Sequence, residues 1–89
     1  MNPGRSLRLA RGGEAELCSL SGDRLAVLST VPSAPGSTLE GELPFAAGLV
    51  IRLKVRRCQR TADGRFAIEG RAVNLTRELR AAIEAGLAG

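Results

Sequence analysis

An 89-residue chain builds one small core and leaves no room for a two-lobed enzyme. It contains no His and no Tyr, which excludes His-based acid–base catalysis, Ser–His triads and His-ligated metals. Net charge is +4, from 13 basic and 9 acidic residues, a modest excess.

Twelve of the 13 basic residues are Arg, with Lys54 the single Lys. Arg over Lys suits phosphate or carboxylate recognition, and it equally follows from a GC-rich coding sequence. Phe45 and Phe66 are the two aromatic residues, so the core must be built from Leu, Val, Ile and Ala. Cys18 and Cys58 have neither metal-ligand spacing nor a partner His, and both sit in apolar strand contexts. Two buried free thiols are therefore expected. No segment approaches the ~20 apolar residues of a membrane span, and Met1–Arg5 is not followed by a continuous apolar core. The expectation is a soluble, cytoplasmic, reduced protein.

In chain order, residues 1–12 are Gly- and Arg-rich and read as a flexible basic arm, followed by one domain over residues 13–89. Arg5, Arg8 and Arg11 recur every three residues, a spacing that does not share a face on an extended chain. Glu14 to Leu20 predicts a first strand, with Ala15 and Leu17 opposed to Glu14 and Glu16. Ser21-Gly22-Asp23 marks a turn, and Arg24 to Val31 a second strand that completes a hairpin. Pro32 to Ser37 breaks pairing because proline cannot donate to a ladder. Thr38 to Leu43 alternates as a short third strand, and Phe45 in the connection after it is expected to plug the barrel end.

The stretch from Gly48 to Val73 reads as a second hairpin. Ile51, Leu53 and Val55 point one way, and Arg52, Lys54 and Arg56 form a cationic outer ladder. Asp63-Gly64 supplies the turn, and Phe66, Ile68 and Val73 the apolar residues of the second arm. A two-residue loop would send Arg57 and Gln59 inward. A bulge near Arg56-Arg57, or a longer loop, is expected to restore Cys58 to the apolar side. From Asn74 to Leu87 the period becomes helical: Leu75, Leu79, Ala82, Ile83 and Leu87 form one stripe. Thr76 or Asn74 can cap its start, and Gly86 and Gly89 fit its end. The pattern predicts a mostly β fold, a small antiparallel barrel of five to six strands with a C-terminal α-helix.

Catalysis finds little support. The pairs Glu14/Glu16 and Glu40/Glu42 lie on outer strand faces, no Gly-rich phosphate loop opens a helix, and neither Cys has a neighbouring base. The expectation is a non-enzyme without cofactor or metal. Basic surface is the remaining signal, carried by Arg52, Lys54, Arg56 and Arg71 on the hairpin and by Arg77 and Arg80 on the helix. Nucleic-acid barrels interleave aromatics for base stacking, and this ladder has none, which makes a small nucleic-acid-binding barrel the last of three readings.

The order of elements and several segments resemble the PilZ family over roughly residues 11–87. The segments are LAVLSTVPSAPGS, then GLVIRLKV, then GRFAIEGRAVNLTRELRAAI. That family is a small antiparallel barrel with a C-terminal helix and serves as a bacterial cyclic di-GMP receptor module. It takes its ligand through an N-terminal RxxxR and a later D/N-x-S-x-x-G. Here Arg5, Arg8 and Arg11 stand three apart, and the RxxxR pairs Arg52/Arg56 and Arg56/Arg60 fall in the later strand. In the second motif Ser29 is kept, with Val27 in place of the Asp or Asn and Pro32 in place of the Gly. The resemblance therefore implies a non-consensus member, a signalling adaptor that binds another protein through the basic ladder and the helix. The alternative it implies is a cyclic di-GMP receptor using Arg5, Arg8, Arg11 and Ser29. The pattern fixes no oligomeric state.

Overall fold

A computed structural model describes residues 5–44, 46 and 48–88. Six strands, β1 (Ser6–Leu9), β2 (Glu14–Ser21), β3 (Arg24–Ser29), β4 (Thr38–Glu42), β5 (Val50–Arg60) and β6 (Phe66–Ala72), precede one helix, α1 (Arg77–Ala88). The strands close into an antiparallel barrel in the order β1-β2-β3-β6-β5-β4, with β4 returning to β1. The expected fold class is thus the observed one, with the strand number at six.

Alternation builds the core. Leu17 from β2, Leu25 and Val27 from β3, Leu39 from β4, Ile51, Leu53 and Val55 from β5 and Ile68 from β6 are all buried inside the barrel. Leu79 and Ile83 bring the apolar stripe of α1 onto it, and α1 packs chiefly on β2. Phe66 is half-buried against this cluster, whereas Val73 lies beyond the end of β6 and is exposed. The expectation for Phe45 falls outside the described residues.

The lead-in read as a loose arm contains β1. Leu7 and Leu9 are buried, Arg8 pairs in register with Glu14 on one side and Glu42 on the other, and the barrel closes through it. The physical reason is burial: without Leu7 and Leu9, β2 and β4 would leave facing edges unpaired. Arg5, just before β1, donates from Nη2 to the Leu87 carbonyl at 2.9 Å. The last turn of α1 has no basic residue of its own, so Arg5 supplies the cation that a helix C-terminus favours.

The second hairpin contains both of the alternatives expected for it, a longer loop and a bulge. Thr61 N–H donates to the Arg65 carbonyl at 2.8 Å around a three-residue loop, with Gly64 at φ 85°. That loop sets Cys58 opposite Ile68, and a bulge between Val55 and Arg57 then sets Val55 opposite Gly70. The buried side chains of β5, Ile51, Leu53 and Val55, all precede the bulge, and half-buried Cys58 beyond it packs against the same core. A second bulge, between Leu17 and Ser19 in β2, turns Cys18 outward. Cys18 is exposed and Cys58 half-buried, both as free thiols, so the expected burial of both does not hold.

At the start of α1, the Thr76 hydroxyl accepts from Leu79 N–H at 3.1 Å and caps the helix. Asn74 does different work: its side chain accepts from Arg52 N–H at 2.9 Å and donates to the Val50 carbonyl at 2.7 Å. It extends the ladder of β5 one step past the end of β6. Gly86 does not end the helix; it is buried within α1.

Candidate functional site

The residues implied as dinucleotide contacts occupy different surroundings. Arg5 is engaged at the end of α1. Arg8 lies on the outer face of β1 with its guanidinium 4.0 Å from Glu42. Arg11 stands in the β1–β2 turn, where it lines a groove of about 430 Å³ together with Pro32, Ser33, Thr38 and Glu40. Ser29 is fully buried. Its hydroxyl donates to the Val31 carbonyl at 2.6 Å and accepts from Val31 N–H at 3.0 Å. Its one proton is given to the strand end and the hydroxyl is buried, so it has no donor left to offer a phosphate.

The basic ladder divides in two. Arg52 is tied to Glu40 across β5 and β4 at 3.3 Å, leaving little net charge there. Lys54 and Arg71 are direct partners in the β5–β6 register, and Arg71 is in turn the partner of Arg24 in the β6–β3 register. All three side chains are exposed, so they form one outward row across β5, β6 and β3. At the usual strand spacing of about 4.8 Å such a row is compact.

Arg56, the extra residue of the β5 bulge, joins them. It lines a shallow cavity of about 220 Å³ with Asp23, Arg24, Gly70 and Arg71. The bulge needs Gly70, because a Cβ there would overlap the Lys54 carbonyl oxygen. One carboxylate serves this cluster: Asp23 pairs with Arg71 Nε at 2.8 Å. Among the described residues, no carboxylate stands within ion-pair distance of Arg24, Lys54 or Arg56.

Of the six residues expected on the interaction surface, Lys54, Arg56 and Arg71 are brought together, and Arg52 is neutralised beside them. Arg77 and Arg80 lie on α1, the first exposed and the second half-buried. Arg24 was missed by sequence reasoning. Its membership depends on β3 pairing with β6 across the barrel, which no local spacing announces.

Among the described residues there is no group of three His, Cys, Asp or Glu side chains placed to hold a metal, and no helix long and apolar enough to cross a membrane. No family model, curated protein or solved structure matches the chain.

Proposed function

We propose that the chain is a non-enzymatic, PilZ-like bacterial signalling module that acts in the cytoplasm as an adaptor, binding another protein through the basic face of β5 and β6. The observation that carries this reading is the dispersal of the dinucleotide contacts. Arg5 holds the helix end, Arg8 faces Glu42, and the Ser29 hydroxyl is consumed by Val31. Recognition of a cyclic dinucleotide calls for several guanidinium groups converging on its phosphates and base edges. The cations that do converge are those of the outer face of β3, β5 and β6.

A second reading, a cyclic di-GMP receptor, is favoured by one feature, the groove beside Arg11. Calorimetric titration with cyclic di-GMP separates the two. The adaptor reading expects no binding heat. Micromolar or tighter binding that is abolished by Arg8→Ala would overturn it in favour of the receptor.

A further inference from the structure

Four cations gathered around one shallow cavity are an unfavourable arrangement unless something anionic is shared among them. Lys54 and Arg71 face each other directly, as do Arg71 and Arg24, and like charges directly opposed on a sheet destabilise it. The bulge adds Arg56 to the same spot. Asp23 answers one of the four, on one edge of Arg71.

We infer that the cavity bounded by Asp23, Arg24, Arg56, Gly70 and Arg71, with Lys54 beside it, is a binding site for a phosphate monoester dianion carried on a side chain of the partner protein. The inference rests on the adaptor reading and names the chemistry of that same face. A phosphoryl group presents three oxygens in different directions, and planar guanidinium forks arriving from three strands can each take one. A carboxylate carries a single charge and two oxygens in one plane, a poorer match for cations on three sides. The cavity holds about 220 Å³ and opens along an exposed sheet face rather than into the barrel, so it admits a group projecting from a macromolecule.

Asp23 then has a definite part. Its carboxylate occupies one edge of Arg71 in the unliganded protein and competes with the incoming anion. Removing that charge while keeping the shape strengthens binding.

The test is an NMR titration of the full chain with a short phosphoserine peptide, its unphosphorylated form, its aspartate form and inorganic phosphate, at matched ionic strength. The expected result is a set of amide shifts confined to Asp23, Arg24, Arg56, Gly70 and Arg71 with the phosphoserine peptide. Inorganic phosphate shifts the same amides more weakly, and the other two peptides leave them unmoved. Arg56→Ala, an exposed bulge residue without an ion pair among the described residues, abolishes the shifts, and Asp23→Asn tightens binding severalfold. Shifts spread equally over Arg11 and Arg77, or an aspartate peptide as effective as the phosphoserine one, would overturn the assignment. A response to inorganic phosphate with a silent phosphopeptide would overturn the partner-borne source. Capture of a protein partner that survives phosphatase treatment, beside a silent phosphopeptide, would leave the adaptor standing and remove the phosphate site.

Discussion

Lys54 and Arg71 face each other as direct cross-strand partners on the outer surface of β5 and β6, two cations where sheet stability favours an opposite pair. Stability alone does not account for that choice. A neutral, strand-compatible residue at position 54 relieves the repulsion, so Lys54→Thr is expected to raise unfolding stability by a few tenths of a kcal/mol. The same change is expected to weaken anion binding at the cluster. Urea unfolding read by circular dichroism, beside the phosphopeptide titration, measures both.

Leu9 distinguishes a barrel strand from a loose arm. It is buried in β1, and Leu9→Ala is expected to cost about 2–5 kcal/mol. Arg8→Ala, one residue away, removes an exposed pair with Glu42 and is expected to cost about 0–1 kcal/mol. Chemical denaturation of the two variants should separate widely; near-equal midpoints would mean that β1 does not close the barrel.

Much of this fold is written locally. The alternation of Ile51, Leu53 and Val55 names an inward face, and the helical stripe of Leu79 and Ile83 names the docked side of α1. The misfit of Arg57 and Gln59 to a two-residue loop pointed to the bulge that the β5–β6 register contains. In β1 the alternation of Leu7 and Leu9 was present too, but four residues among Arg and Gly carry little weight without their partners. The site is less legible, because it is assembled by pairing. Lys54, Arg56 and Arg71 could be read from one hairpin, whereas Arg24 and Asp23 arrive only because β3 lies beside β6. Ser29 shows the converse: a residue type that fits a ligand motif is spent on its own strand end.

Cys18 and Cys58 should differ in reactivity. The β2 bulge exposes Cys18, while Cys58 packs partly against the core. Local desolvation, with the Glu16 carboxylate second, pushes the Cys18 thiol above its ordinary value of 9.0. Labelling of the native protein is therefore expected at Cys18 first, slowly at neutral pH and faster as the pH rises through the alkaline range. Mass-spectrometric mapping of alkylated peptides reads the order directly. Faster labelling of Cys58 would contradict the placement of the β2 bulge.

Asp63 in the β5–β6 loop is held to about 2, below the ordinary 3.8, by a hydrogen bond from the Thr61 hydroxyl and then by the Arg65 side chain and amide. Because the folded value is the lower one, its stabilisation of the loop is complete above the ordinary value. It is lost as pH falls from 3.8 toward 2. Carboxyl carbon NMR should find the Asp63 midpoint well below the ordinary 3.8. A midpoint at the ordinary value would mean the loop contacts do not persist in solution.

The proposed adaptor role is tested most directly by quantitative affinity capture from a lysate of the source cells, comparing the wild-type chain with a Lys54→Ala/Arg56→Ala/Arg71→Ala variant shown to be folded. The expected result is one specific protein retained by the wild type and lost with the variant, with Arg77→Ala leaving it in place. A capture profile unchanged by the triple substitution, or micromolar cyclic di-GMP binding that requires Arg8, would contradict it.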